Sequence, residues 1–106
     1  MKFVLKEETM EQFQSVFQKY PEITEVIIYG SRAKGIFREG SDIDITLKGK
    51  QLTDEIRAKV WLDLDELNTP YLIDLSVFHL LASDSLKEHI NRVGKLFYRN
   101  NMFKNS

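Results

Sequence analysis

The chain predicts an α+β (α/β layer) domain: a small mixed β-sheet with helices mainly on one face. Three observations carry this. Apolar residues recur at spacings of three and four in several segments, the period of a helix. Between those segments lie short continuous or alternating apolar runs, the mark of buried and half-buried strands. The elements also follow one another as helix, strand, strand, helix, strand, helix, with Gly, Pro and Asn at the junctions.

Residues 7–20 predict the first helix. Met10, Phe13, Phe17 and Tyr20 fall on one stripe, Glu7 and Glu8 suit the positive end, and Pro21 disfavours helical geometry at Tyr20. Residues 25–29 predict a strand, because Val26-Ile27-Ile28-Tyr29 is a continuous apolar run closed by Gly30-Ser31. Residues 32–41, rich in Gly and basic side chains, predict a turn or short helix and then a loop. In residues 42–48 Ile43, Ile45 and Leu47 face one way and Asp42, Asp44 and Thr46 the other.

Residues 53–67 predict the second long helix. Thr53 caps it, Asp54 and Glu55 fill its first turn, and Ile56, Val60, Leu64 and Leu67 form its stripe. Residues 71–78 predict the third strand, with Tyr71, Ile73, Leu75 and Val77 on one face and Leu72, Asp74, Ser76 and Phe78 on the other. Residues 83–93 predict the last helix, capped by Ser83 and stopped by Gly94. Residues 95–99 add a short edge strand, and residues 100–106 read as a frayed tail.

The sequence of 106 residues predicts one domain over residues 1–106. It holds no cysteine, which excludes disulfide frameworks, Cys-based zinc sites and thiol catalysis. Two histidines, His79 and His89, are too few for a multi-histidine metal centre and read as a loop residue and a helix residue. No apolar run approaches the ~18 residues needed to span a membrane, and no secretory leader opens the chain. The cytoplasm is therefore the expected compartment. Fifteen basic against sixteen acidic residues give a net charge of -1. That balance predicts no direct nucleic-acid binding by the chain alone, since such binders neutralise many phosphates. Trp61, Tyr98 and Phe103 suit an exposed partner patch, and Phe97 suits the core.

Three carboxylates carry the candidate chemistry. Asp42 and Asp44 lie two apart on one strand, so they project from one face with α-carbons ~6.6 Å apart. Asp74 lies on the less apolar face of the next strand. If the strands are neighbours, all three converge. Converging carboxylates repel, and the arrangement holds at neutral pH with a divalent cation between them or with one acid protonated. Hard oxygen donors select Mg²⁺ or Mn²⁺. A solvated strand face also explains Asp-Ile-Asp, and a strand end or a paired buried acid also explains Asp74.

Gly30-Ser31 follows the first strand directly. Glycine lets backbone approach a ligand closely, and a serine hydroxyl with free N–H groups can hold a phosphate. Arg32, Lys34 and Arg38 follow and could balance polyphosphate charge; an ordinary turn with exposed basic residues has the same composition. Ten residues separate Ser31 from Asp42-Ile43-Asp44. Four fixed positions at that spacing arise by chance in about one such chain per thousand.

Gly-Ser, ten residues, then Asp-any-Asp resembles the signature of the DNA polymerase β-type nucleotidyltransferase superfamily. The words Tyr-Gly-Ser-Arg-Ala-Lys-Gly and Gly-Ser-Asp-Ile-Asp-Ile look like its minimal nucleotidyltransferase branch. Ile73-Asp74-Leu75 is similar to the family's third-carboxylate strand, and residues 90–98 to its C-terminal end. The resemblance implies the nucleotidyltransferase fold. It implies that Gly30, Ser31 and, less directly, Arg32 hold a nucleotide triphosphate. It implies that Asp42 and Asp44 bind catalytic Mg²⁺ or Mn²⁺, with Asp74 completing the second metal site and helping to activate the acceptor hydroxyl.

The implied reaction moves a nucleoside monophosphate, AMP from ATP, onto a hydroxyl with loss of pyrophosphate. Larger relatives carry a second domain that grips base and acceptor, for which the 32 residues after Asp74 leave no room. The resemblance therefore implies a partner, a HEPN-domain protein that the enzyme modifies as its antitoxin. Two other readings stay open: a nucleotide-binding module that neutralises a partner by contact, and a transferase for a small molecule or an RNA end.

Overall fold

The computed structural model describes residues 6–30 and 42–100. In chain order they form α1 (Glu7–Gln18), β1 (Glu25–Tyr29), β2 (Ile43–Lys48), α2 (Asp54–Asp65), β3 (Ile73–Val77), a 3₁₀ turn (Phe78–Leu80), α3 (Asp84–Val93) and β4 (Lys95–Arg99). Local chemistry sets the helix ends. Thr53 Oγ1 accepts the Ile56 N–H at 3.2 Å, and Ser83 Oγ accepts the Leu86 N–H at 3.1 Å, so both predicted caps are in place. The Gly94 N–H closes α3 onto the Ile90 carbonyl at 2.8 Å. The first helix stops two residues before Tyr20, because Pro21 restricts the turn ahead of it.

The four strands form one mixed sheet in the order β3-β2-β1-β4. β1 runs antiparallel to β2 and β4, and β2 runs parallel to β3. A parallel pair cannot be closed by a hairpin, and α2 supplies the crossover. Register fixes the faces. Val26, Ile28, Ile43, Ile45, Leu47, Leu75 and Val77 turn toward α1 and α2, where Phe13, Val16, Phe17, Val60 and Leu64 complete the core. Phe97 joins them through a bulge between β1 and β4, where the pairing shifts between Val26 and Ile27. The extra residue lets consecutive Phe97 and Tyr98 both reach the Phe17 ring, at 6.1 and 5.8 Å between centroids.

The opposite face carries Ile27, Tyr29, Asp44, Thr46, Lys48, Asp74 and Ser76. α3 packs against this face: a Cβ on Gly94 would strike the Ile27 side chain, and Lys87 Nζ lies 5.9 Å from the Phe78 ring centroid. Two helices thus sit on one face and the third on the other. Thr46, on the same face as the acids, is fully buried. The third strand is also shorter than its apolar pattern, because Phe78 turns into the 3₁₀ segment and Leu72 stays exposed ahead of the strand.

Candidate active site

Pairing register builds the site. Tyr29 stands opposite Asp44 on β1–β2, and Asp44 stands opposite Asp74 on β2–β3. The three side chains therefore form one row across three strands on the face that α1 and α2 leave open. Strand neighbourhood, on which convergence depends, is met, and it places the two acids about one strand spacing (~4.8 Å) apart. The parallel pair begins at the Ile43 N–H, which donates to the Leu72 carbonyl at 2.8 Å. Asp42 precedes β2 and is exposed.

Burial and mutual repulsion act on Asp44 together. Burial raises its pKa first, and the charges of Asp74 and Asp42 raise it further. Among the described residues no lysine, arginine or histidine forms an ion pair with any of the three acids. Tyr29, only 8% exposed, is raised first by burial and then by the charges of the same two carboxylates, Asp44 and Asp74. One row deeper, Ser76 Oγ donates to Thr46 Oγ1 at 2.9 Å.

Gly30 closes the site from the β1 end. Its φ is +82°, a conformation that side chains with a Cβ rarely adopt, and a Cβ there would overlap the Asp44 carboxylate. Glycine is thus required twice, by its backbone and by the acid beside it. Ser31 and Arg32 lie outside the described residues, as does the predicted turn and loop over residues 32–41.

The donor chemistry suits a hard divalent cation: paired carboxylate oxygens that repel one another and lack a protein cation. The expected three-way cluster is only partly formed. Among the described residues no three His, Cys, Asp or Glu side chains are drawn together closely enough to hold a metal ion. The physical reason lies in Asp42, which sits outside the strand that orients Asp44. His79 is exposed on the 3₁₀ turn and His89 is half-buried on α3.

The predicted aromatic patch does not form as one surface. Trp61 lies against β3, its indole N–H donating to the Ile73 carbonyl at 3.3 Å, whereas Tyr98 sits on β4 at the other edge of the sheet. Phe97 is in the core, as expected, and Phe103 is outside the described residues. Tyr29, the first residue of the Tyr-Gly-Ser word, has no role in the sequence reading and stands in register with Asp44. A cavity of about 540 Å³ between α1 and α2, lined by Glu8, Glu11, Lys19 and Asp63, lies on the other side of the sheet. No helix among the described residues is long and apolar enough to cross a membrane.

Comparison with known proteins agrees with this fold. A family model described as "Polymerase beta, Nucleotidyltransferase" matches residues 11–103. No curated protein matches the chain. Among solved structures, a toxin–antitoxin complex with AMP-PNP is similar with a TM-score of 0.70 at 21% identity, over 92% of this chain and 77% of that one. A complex of tri-AMPylated Shewanella oneidensis HEPN toxin with its MNT antitoxin gives 0.67 at 18%, over 94% and 77%. The toxin–antitoxin pair MntA–HepT gives 0.66 at 17%, over 92% and 75%. At such identities the likeness is one of fold.

Proposed function

This chain belongs to the polymerase beta nucleotidyltransferase family, and from that premise we propose that it transfers AMP from ATP to a hydroxyl of a HEPN-type partner protein, acting as an antitoxin. The observation that carries the reading is the registered pair Asp44 and Asp74 on neighbouring parallel strands, with Asp42 just ahead and Gly30 against Asp44. The partner and the nucleotide are inferred from likeness: the similar complexes pair an antitoxin with a HEPN toxin, and one contains AMP-PNP.

In this reading Asp42, Asp44 and Asp74 would hold Mg²⁺ or Mn²⁺, and Gly30, Ser31 and Arg32 would hold the triphosphate. The metal, when bound, would neutralise charge on the phosphates and favour the ionised acceptor oxygen. The protein's own part is placement. Gly30 lets backbone approach the phosphates without a side chain, and the row of acids fixes where the acceptor stands. The acceptor oxygen forms a bond to the α-phosphorus, the bond from that phosphorus to the bridging oxygen breaks, and pyrophosphate leaves. In this reading Asp74, the more exposed of the registered pair, would take the hydroxyl proton.

A second reading is favoured by one observation. The three acids do not form a closed metal-binding group, which suits a module that neutralises its partner by contact. Intact-mass spectrometry of a co-expressed HEPN partner, after incubation with this protein, ATP and Mg²⁺, separates the two. Transfer adds one or more AMP units to the partner and is lost in Asp42→Asn. A stable complex without adduct, with neutralisation kept in Asp42→Asn, overturns the transferase reading.

A further inference from the structure

We propose that Lys48, Lys50 and Lys87, gathered around Phe78 at the far end of the face that carries the acids, form a docking surface for an acidic segment of the partner protein; this rests on the transferase reading above. Lys48 closes β2, Phe78 opens the 3₁₀ turn after β3, and Lys87 lies on α3. Lys48 Nζ stands 4.6 Å from the centre of the Phe78 ring, and Lys87 Nζ 5.9 Å from it. Lys48, Lys50, Phe78 and His79 line a cavity of about 330 Å³.

Like charges gathered at one ring repel, and a cation–π contact worth ~0.5–1 kcal/mol does not neutralise them. Carboxylates would, but those nearby are engaged elsewhere. Glu25, in the adjoining cavity, is held by Arg99 at 3.0 Å, and Glu88, next to Lys87, by Arg92 at 3.6 Å. Glu22 and Asp84 make no ion pair, so among the described residues all three lysines lack a counter-charge. The acids of the active site do not supply it. Lys48 lies four residues beyond Asp44 on β2, ~13 Å away, which exceeds the ~8 Å screening length at physiological salt.

The cations also select the chemistry of the occupant. Lysine is a point charge, whereas a bidentate grip on phosphate favours arginine, and this cluster has none. The Phe78 ring already has ammonium groups against it, so it is not free to stack a base. Three cations are also fewer than the roughly six to ten phosphate contacts of a strong nucleic-acid binder. A run of carboxylates on a protein fits what remains, and the protein that the transferase reading brings to this face is the acceptor.

The test uses the co-expressed HEPN-type partner and two triple variants, in which Lys48, Lys50 and Lys87 are all changed to Gln or all to Glu. Association is followed by biolayer interferometry at about 50 and about 300 mM salt, melting temperature by circular dichroism, and AMP transfer by steady-state kinetics. Charge reversal is expected to slow association about tenfold at the lower salt and much less at the higher. KM for the partner should rise accordingly, with kcat and KM for ATP little changed, and the neutral variant should fall between. Should charge reversal prevent folding, the neutral variant carries the same comparison. Association at the wild-type rate in both variants overturns the proposal, as does a loss equal at both salts or one that follows only the melting temperature. A wild type that binds oligoadenylate or inorganic phosphate more tightly than oligoglutamate also overturns it, in favour of a phosphate ligand. A wild type that associates, is slowed by charge reversal and transfers no AMP overturns the transferase reading and upholds the docking surface. A wild type that does not associate with the partner overturns both.

Discussion

Asp44→Asn is expected to make the metal-free protein more stable while abolishing transfer. The perturbation removes one charge and keeps the shape of the side chain. Asp44 and Asp74 face each other in register, about 5 Å apart by strand spacing. Two unit charges at that distance repel by ~3 kcal/mol at an effective dielectric of 20 and by under ~1 kcal/mol in water. Asp44 is half-buried and Asp74 exposed, so screening brings the expected gain to about 1 kcal/mol. For a domain of this size that raises the melting temperature by about 4–8 °C.

The pH dependence fixes the sign. A carboxyl whose pKa is raised in the fold binds its proton more tightly there than in the unfolded chain. Its ionised form therefore destabilises the fold, a penalty absent below the unfolded pKa and complete above the raised folded value. The gain from Asp44→Asn should be full above the raised folded value and vanish below the unfolded value of about 4. Adding Mg²⁺ should stabilise wild type and leave the variant behind, because only wild type retains the full donor set. Thermal unfolding at pH 7 and pH 3, with EDTA or with Mg²⁺, reads all of this. A variant that melts below wild type at pH 7 in EDTA, or whose gain persists unchanged at pH 3, would refute the reasoning.

Gly30→Ala should cost about 1–2 kcal/mol from backbone geometry alone, since φ is +82°. It should also displace the Asp44 carboxylate and lower transfer by about a hundredfold, measured by urea unfolding alongside initial rates. Tyr20→Phe should cost about 1 kcal/mol, because the Tyr20 hydroxyl donates to Asp63 at 2.5 Å and ties the end of α1 to α2. That bond, with Lys19, holds Asp63 below the usual carboxylate range, so its contribution is present above that range and lost as pH falls through the lowered value. Acid unfolding of Tyr20→Phe should therefore be less steep below pH 4, with transfer unaffected.

Alternation made the faces of the sheet legible. Ile43, Ile45 and Leu47 are buried on the helix side, and Asp44 and Asp74 share the other, as the period of two requires. Alternation could not give pairing. That β2 neighbours β3, and that Asp44 meets Asp74 and not Ser76, depends on the crossover through α2. Nor could it show which face a helix covers. Thr46 shares the face of Asp44, yet it is buried where Asp44 is half-buried. The bulge that brings Phe97 and Tyr98 to one ring left no mark in a five-residue run. Asp42 had the right parity to join Asp44 but lies ahead of the strand, where parity no longer governs direction.

Among the described residues β3 is an outer strand of the sheet, and Asp74 stands on it. One flank of that carboxylate is therefore a rim. A deep cleft admits only molecules small enough to enter it, whereas a rim can be met by a convex surface of any size. Leu72, two residues earlier in the chain, is exposed. Under the proposed function the nucleotide would be held against the glycine turn in the interior of the sheet, and the acceptor would be met at its border. Changes in residues 68–72 would alter which acceptors can approach while leaving the register of the two acids intact.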